Sequence, residues 1–157
     1  MNQELARRYF RKFVVDPALF LDSQPYQPYQ YTEEKADAVV ERYRQMGRVY
    51  LAVMLGDEPI GEVILKNINW EQKYCTMGIS LRSDKFKNQG YGTAAEILAL
   101  LNAFNQMDME TVFADSILKN TRSRHVLEKV GFSETHQDAS FAYYRCDRNS
   151  WRNPAGI

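Results

Sequence analysis

The stretch from Lys87 to Leu101, KNQGYGTAAEILALL, decides the fold, because a polar loop with two glycines runs directly into a strongly apolar helix. Apolar residues dominate the helix predicted over residues 91–107, which indicates that this helix packs against a sheet. The core therefore fixes its N-terminus. Backbone N–H groups at such a terminus have no partner within the helix. Gly90 and Gly92 have no Cβ atoms that would keep a ligand away from those groups.

These features predict an anion site at residues 89–93, where free amides and the positive end of the helix dipole coincide. The alternative is that the glycines only allow a tight turn from strand to helix. A P-loop is excluded, because it needs Lys-Ser/Thr after its last glycine, whereas Tyr91-Gly92-Thr93 follows Gly90. A dinucleotide-binding loop is excluded by context, because it follows the first strand of a βαβ unit and the strands before this loop look antiparallel.

Length and composition indicate one globular domain. The chain has 157 residues, of which 45% are hydrophobic and 25% charged, as expected for a single core. Lys+Arg and Asp+Glu both number 20, and this neutral balance argues against a dedicated nucleic-acid binder. No apolar run is long enough to span a bilayer, and the start MNQELARRYF lacks the apolar core of a signal peptide. We therefore expect a cytoplasmic protein without a membrane partner.

The cysteines and histidines predict neither a disulfide framework nor a metal site. Cys75 and Cys146 both lie in strand-like segments and are expected to be small core hydrophobes. His125 and His136 are too few and too scattered to hold a metal.

The first 47 residues carry no motif. Residues 1–31 have no clean hydrophobic period, and SQPYQPYQY (23–31) reads as an extended connection. Thr32 is a candidate N-cap for a helix that begins at Glu33.

The rest of the chain predicts strands and helices that together form one mixed sheet. Strands are predicted at RVYLAVML (48–55), IGEVILKN (60–67), YCTMGISL (74–81), ETVFADSI (110–117) and SFAYYRC (140–146). The first three form an antiparallel meander. A short helix begins after Asn120 and stops at Gly131, and the tail is either frayed or packed by Trp151. The prediction is a single α/β domain over residues 1–157.

Two motifs resemble the GNAT superfamily of N-acetyltransferases. Lys87-Asn88-Gln89-Gly90-Tyr91-Gly92 resembles the acyl-CoA-binding motif Gln/Arg-x-x-Gly-x-Gly/Ala, with Lys87 departing at the first position. NTRSRHVLEKVGF (120–132) resembles the Asn-x-x-Ser…Lys-x-Gly-Phe signature of the RimJ/RimL-like branch. The resemblance implies an α/β (α+β) GNAT fold, whose mixed, mostly antiparallel sheet is splayed in the middle with helices on both faces. It implies an acetyl-CoA-binding core over residues 48–146 and an acceptor-side region over 1–47.

The resemblance also implies acetyl-CoA as cosubstrate. Its pantetheine arm is expected in the gap beside strand 74–81, where it pairs with the backbone like an added strand, while the amides of residues 89–93 hold the pyrophosphate. The implied cofactor-binding residues are Ile79, Leu81, Lys87, Gln89, Gly90, Tyr91, Gly92, Thr93 and Asn120. Basic residues near both motifs either favour the anionic cosubstrate or form ordinary solvated surface; they are Arg82, Lys85, Lys87, Lys119, Arg122, Arg124 and Lys129.

The implied chemistry is direct attack by a neutral amine on a thioester carbonyl in a ternary complex. A lysine-like amine has a pKa of about 10.4 in water, so it must lose a proton to a side chain or a water. A backbone N–H near Ile79 is the expected oxyanion donor. Ser123 aligns with a serine that RimL-like enzymes place near the sulfur. Tyr143 and Tyr144 are alternatives, of which strand alternation sends one to the cleft, and Tyr144 joins Ser123 as a catalytic candidate.

The same residues have structural explanations, and no general base is assigned. Asn120 as an N-cap with Ser123 in the first turn gives the same pattern as a catalytic pair. Many relatives carry a glutamate two residues before the strand glycine, where this chain has Thr76. The alternatives are a bound water or one of three carboxylates, Glu62, Glu134 and Asp138.

The amine acceptor is not encoded in these motifs. A protein N-terminus, a polyamine or an antibiotic fits a groove built partly from residues 10–45 and the last hairpin. The acidic residues there either favour a cationic amine or form a solvated helix face; they are Asp16, Asp22, Glu33, Glu34 and Asp37. A homodimer is one assembly considered. A non-catalytic acyl-CoA-binding module, which Thr76 supports, and a structural interaction domain are the competing functions.

Overall fold

The computed structural model describes residues 1–17 and 20–156. Ala18 and Leu19, in the aperiodic N-terminal stretch, and Ile157, at the end of the tail, lie outside the described residues. The helices and strands are α1 (Gln3–Arg11), α2 (Glu33–Gln45), β1 (Val49–Leu55), β2 (Glu58–Asn69), β3 (Tyr74–Leu81), α3 (Tyr91–Leu101), β4 (Thr111–Ile117), α4 (Thr121–Val130), β5 (Ser133–Gln137) and β6 (Phe141–Asp147).

The strands form one six-stranded sheet in the order β1-β2-β3-β4-β6-β5. All neighbours are antiparallel except β3 and β4. That parallel pairing runs only as far as Met77 opposite Ala114, although β3 continues to Leu81 and β4 to Ile117. The sheet is therefore splayed in its middle, which confirms the predicted fold class.

Helices cover both faces of the sheet. Helices α3 and α4 pack over the main core, in which Leu65, Met77, Leu100 and Leu127 are buried. Helices α1 and α2 form a second cluster around Ala6, Tyr9, Phe10 and Ala36, and α1 contacts β2. Cys75 and Cys146 are free and buried, as expected for core residues.

Side-chain caps define the ends of α2 and α4 as the sequence predicts. Thr32 Oγ1 accepts a hydrogen bond from Lys35 N at 3.2 Å, and Asn120 Oδ1 accepts one from Ser123 N at 3.2 Å. Gly131 ends α4 in the left-handed conformation, with φ of 115°.

The structure corrects or completes three segments. Helix α1, which the sequence analysis does not predict, turns its aromatic residues towards α2 and is capped by Asn2. The α-helix predicted over 91–107 ends at Leu101 and continues as a π-helical turn, Asn102–Gln106. The tail is packed rather than frayed, because Trp151 Nε1 donates to Val130 O at 2.8 Å.

Candidate functional site

A cavity of about 360 Å³ opens where β3 and β4 part. Residues 78–81 of β3 and 115–117 of β4, which do not pair with each other, form two of its walls. The loop before α3 and the first turns of α3 and α4 complete the lining. The feature that splays the sheet therefore also creates the space for a ligand.

The N-terminus of α3 lies at this cavity with its backbone donors free of the helix. The first N–H that donates within α3 is Ala94 N, to Gly90 O at 3.0 Å, so the N–H groups of residues 91–93 have no partner in the helix. Asn2, Thr32 and Asn120 cap α1, α2 and α4, but no side chain caps α3. Uncapped amides together with the helix dipole favour an anion.

Glycine is present at positions 90 and 92 for different physical reasons. Gly90 has φ of 83°, a left-handed conformation that favours glycine. Gly92 lies in the helix, and a Cβ there would meet only Leu81 Cδ1 at 3.9 Å, an ordinary contact. The tight-turn explanation therefore accounts for Gly90 but not for Gly92. Both glycines line the cavity.

The backbone of β3 presents Ile79 and Leu81 to the gap. Arg82 N donates to Ile60 O at 2.7 Å, and the β2–β3 register places Ser80 opposite Glu62. Because alternate residues bond to alternate sides in an antiparallel ladder, the polar groups of Ile79 and Leu81 point away from β2. They face the side on which β4 has separated.

Three other residues predicted to bind the cosubstrate differ in their placement. Lys87 lines the cavity, but its Nζ pairs with Asp16 and, at 2.6 Å, with Asp84 Oδ1. The side chains of Gln89 and Tyr91 do not line it: Gln89 Nε2 donates to a backbone carbonyl of the preceding turn, and Tyr91 packs 6.5 Å from the Phe86 ring.

Asn120 and Ser123 both line the cavity from the start of α4. The cap uses Asn120 Oδ1 and the backbone N–H of Ser123, so it engages neither the Asn120 amide N–H groups nor the Ser123 hydroxyl. The capping explanation and a cosubstrate role are therefore compatible.

The structure does not bring Tyr144 into the cavity. Tyr144 is buried and accepts a hydrogen bond from Arg124 Nε at 3.3 Å, while Tyr143 stacks on His136 with ring centres 4.5 Å apart. Because β6 pairs with β4 along its whole length, the gap lies on the other side of β4. Phe141 is the β6 residue that lines the cavity.

The sequence matches the family described as acetyltransferase (GNAT) domain over residues 2–133, which is most of the chain. The chain belongs to the GNAT acetyltransferase family. A search among curated proteins found no match.

Solved structures share the fold of this GNAT acetyltransferase. A probable acetyltransferase has 17% identity and a TM-score of 0.75 over 96% of this chain and 92% of its own. The Campylobacter jejuni N-acetyltransferase PseH in complex with acetyl coenzyme A has 20% identity and a TM-score of 0.65, over 73% and 79%. A mutant of the Vibrio cholerae spermidine N-acetyltransferase SpeG has 14% identity and a TM-score of 0.73, over 99% and 96%. At these identities the likeness shows the fold alone.

Most basic residues near the two motifs of this GNAT acetyltransferase have structural partners. Arg82 is buried, pairs with Glu58 at 2.9 Å and donates to Pro59 O at 3.0 Å. Arg124 bonds to Leu118 O, and to Tyr144 as described above. Among the seven basic residues singled out in the sequence, Lys87 and Arg122 line the cavity. Most of these basic residues therefore make contacts within the protein that stabilise the fold.

The acidic residues of the acceptor-side region are largely compensated as well. Asp37 accepts from Arg7 Nε at 2.7 Å, which holds the pKa of Asp37 below its usual value. Glu33 pairs with Arg11 at 3.4 Å, and Asp22 pairs with Lys119 at 2.7 Å. These contacts favour the interpretation of the acids as surface charges rather than as a free anionic groove.

The three carboxylates considered as bases have different surroundings. Burial raises the pKa of Glu62, whose Oε2 accepts a hydrogen bond from the Tyr50 hydroxyl. Glu134 pairs with Arg124 at 3.3 Å. Hydrogen bonds from the Tyr143 hydroxyl and two backbone N–H groups hold the pKa of Asp138 below its usual value. Burial therefore makes Glu62 a better proton acceptor than Asp138.

One buried acid of the cavity wall was not singled out from the sequence. Glu96, on the second turn of α3, lines the cavity although it is only 1% exposed. The available signal was a single acid on an otherwise apolar stretch of helix. Among the described residues no group of His, Cys, Asp and Glu is arranged to hold a metal ion, and no helix is long and apolar enough to cross a membrane.

Proposed function

We propose that this GNAT acetyltransferase transfers the acetyl group of acetyl-CoA to a primary amine by direct attack within a ternary complex. The acceptor is a protein N-terminus or a small-molecule amine. The observation that carries the proposal is the cavity between residues 78–81 and 115–117, which meets the uncapped start of α3. Two similar folds support it, since one is in complex with acetyl coenzyme A and another is a spermidine N-acetyltransferase.

The residues present fit acetyl-CoA. The free N–H groups of residues 91–93 suit its phosphates. The backbone groups of Ile79 and Leu81 suit an extended arm that carries amides, which pairs with them as an added strand. Gly92 leaves space that packing within the protein does not require. Asn120 supplies a side-chain amide and Arg122 a positive charge at the same cavity.

The roles of the protein groups follow from their positions. When bound, acetyl-CoA supplies an acetyl group activated as a thioester. The α3 amides hold the phosphates, and the β3 backbone orients the arm and offers the N–H near Ile79 to the carbonyl oxygen. The Ser123 hydroxyl donates a hydrogen bond near the sulfur. Glu62 accepts the proton of the attacking amine through a water, because burial raises the pKa of Glu62 towards neutral pH.

Glu62 is assigned this role from its place in the sheet. It lies opposite Ser80, a residue of the open end of β3 that lines the cavity. Its side chain lies on the face of the sheet that α1 covers, because the negative charge of Glu62 helps to raise the pKa of Tyr9 on α1. Proton transfer therefore occurs on the acceptor side of the sheet, with α1 and α2 forming that wall.

The finer assignments belong to the same proposal. We place the protein in the RimJ/RimL-like branch on the residues Asn120, Ser123, Lys129, Gly131 and Phe132, and we expect it to act in the cytoplasm. A homodimer is the assembly we would test first.

A non-catalytic acyl-CoA-binding module is the second candidate. Thr76 favours it, because it replaces a glutamate that many family members carry two residues before the strand glycine. Thr76 is on β3, where that side chain would stand.

Thiol release from acetyl-CoA with a panel of amines, combined with a thermal shift, tests the proposal. Ligand that binds only the folded protein raises its melting temperature. We expect a thermal shift with acetyl-CoA and thiol release with at least one amine. A thermal shift without turnover on any protein N-terminal peptide, polyamine or aminoglycoside would favour the module. No thermal shift would contradict both.

A further inference from the structure

The cavity wall contains one buried acid that the transfer reaction above does not use. Glu96 projects from the second turn of α3, is 1% exposed and lines the cavity. Its Oε2 has no hydrogen-bond partner among the described residues. A buried polar atom without a partner costs roughly 1–3 kcal/mol, so packing alone gives no reason for a glutamate at this position.

The surroundings of Glu96 keep it uncharged near neutral pH. Burial is the only cause of its shift and raises its pKa from 4.5 to about 8. The charged residues that share the cavity wall come from β2, β4, α4, the loop before α3 and the N-terminal segment; they are Lys66, Asp115, Arg122, Lys87 and Asp16. In the described part of the chain no salt bridge joins Glu96 to Lys66, Lys87 or Arg122, and Lys87 pairs with Asp16 and Asp84 instead. The β3 wall, residues 77–81, contributes no titratable side chain.

A neutral acid differs from a carboxylate in what it offers a ligand. It has an O–H donor, whereas a carboxylate has only acceptors. Amide and thioester carbonyls are acceptors, and coenzyme A carries amide carbonyls in its pantetheine arm. A carboxylate in the same cavity would also repel an anionic cosubstrate.

We propose that Glu96 binds the cosubstrate as a neutral acid, by donating its O–H to a carbonyl oxygen of the part of acetyl-CoA that lies between β3 and β4. The inference rests on the proposed function, because it takes acetyl-CoA as the ligand of this cavity. Glu96 is thereby a cosubstrate-binding residue, and the binding of acetyl-CoA depends on the proton that the Glu96 carboxyl group carries.

This coupling has a measurable consequence. If only the protonated form binds, the apparent Kd rises in proportion to the inverse of the protonated fraction. With a pKa of about 8, the affinity for acetyl-CoA falls about tenfold between pH 7 and pH 9. At pH 8 binding takes up about half a proton per site.

Calorimetric titration of acetyl-CoA into the whole protein at pH 7, 8 and 9 tests the inference. We expect the wild type to lose affinity about tenfold across this range. Glu96→Gln keeps the shape and an N–H donor without titrating, so its affinity should be nearly constant. Glu128→Gln is the matched control, since it makes the same substitution at an exposed glutamate of α4 and leaves Glu96, and its pH dependence should follow the wild type.

The proton count provides a readout that needs no variant. Titrations at pH 8 in buffers of different ionisation enthalpy should show uptake of about half a proton by the wild type and none through Glu96→Gln. Equal pH dependence in the wild type and Glu96→Gln, affinity that rises with pH, or no proton uptake by the wild type would overturn the role of Glu96. Absence of acetyl-CoA binding at every pH would instead overturn the proposed function.

Discussion

At the scale of single residues, Asn120 combines a structural contact with a place in the cavity wall. Its Oδ1 accepts the hydrogen bond from Ser123 N that caps α4, while its amide N–H groups are not used by that cap. Two variants can therefore separate stability from cosubstrate binding at one position.

We expect Asn120→Ala to lower the free energy of unfolding by about 1 kcal/mol, because the cap is lost, and to weaken acetyl-CoA binding. Asn120→Asp keeps a capping oxygen, so its stability should stay close to the wild type. It loses the N–H donor and gains a negative charge, so its affinity for acetyl-CoA should fall about tenfold. Urea unfolding and calorimetric titration measure the two effects. Wild-type affinity in Asn120→Asp would remove this side chain from the binding set.

Removal of the Ser123 hydroxyl tests its proposed role near the sulfur of acetyl-CoA. Ser123→Ala preserves the backbone N–H that completes the cap, so stability and acetyl-CoA affinity should change little. We expect kcat to fall about 100-fold, as for loss of a positioned proton donor. Thr121→Ala, which removes an exposed hydroxyl on the same helix, is the control and should retain full turnover. An unchanged kcat in Ser123→Ala would exclude the sulfur role.

The single residues show what a sequence can and cannot predict. The caps at Thr32, Asn120 and Gly131 are predictable because they depend on local chemistry. The burial of Tyr144 and the position of Glu96 in the cavity wall depend on which side of β4 separates from its neighbour, and the strand order determines that side. The alternation of residues along β6 does not reveal the strand order.

At the scale of elements, the start of α3 determines the site. Its glycines, its lack of a side-chain cap and its contact with the splayed strands occur together at residues 90–93. Gly90 is needed for its left-handed backbone, whereas Gly92 is free of packing constraints within the protein.

Substitutions of Gly92 therefore separate ligand space from protein packing. We expect Gly92→Ala to keep its affinity for acetyl-CoA, because the motif admits alanine at this position, and its free energy of unfolding to stay at or rise by up to about 1 kcal/mol above the wild type, because alanine restricts the unfolded chain. Gly92→Glu places a longer, negatively charged side chain beside the α3 amides, so its affinity for acetyl-CoA should fall about tenfold. Gly90→Ala is the comparison for stability and should lose about 1 kcal/mol from its positive φ. Unaltered affinity in Gly92→Glu would show that the ligand does not approach this backbone.

Elements with a strong period are predicted well from the sequence and the others are not. Strand β3 matches its predicted bounds, because YCTMGISL is bounded by clear turn signals. Helix α1 escapes prediction because its buried aromatic residues face another helix and are mixed with arginines. Strand β5, SETHQ, is exposed throughout and is held by pairing with β6, so no alternation marks it.

At the scale of the whole molecule, whose formal net charge is zero, two groups of carboxylates have opposite effects on how stability depends on pH. Arginine and lysine partners lower the pKa of Asp37, Glu58 and Asp108, so these groups stabilise the fold above their unfolded pKa and lose this effect in acid. Burial raises the pKa of Glu62 and Glu96. Their protonation stabilises the fold at low pH, and this effect is lost as the pH rises.

Glu96→Gln should therefore become more stable relative to the wild type between pH 5 and pH 8. The unfolded group titrates near 4.5 and the folded group near 8, so the contribution of Glu96 to stability is lost across that window, by at most about 1.4 kcal/mol per pH unit. Above it the difference should level off. Urea unfolding at pH 5, 7 and 9 measures it, and a difference that does not vary with pH would contradict the buried, neutral state of Glu96.

The central claim is that a nucleotide cosubstrate occupies the space where the sheet opens. The most direct measurement is a crystal structure of the protein grown with acetyl-CoA. We predict phosphates at the N–H groups of residues 91–93 and the arm between β3 and β4, in hydrogen-bond contact with Ile79 and Leu81. Acetyl-CoA bound at another surface, with the gap between these strands left open, would contradict the account.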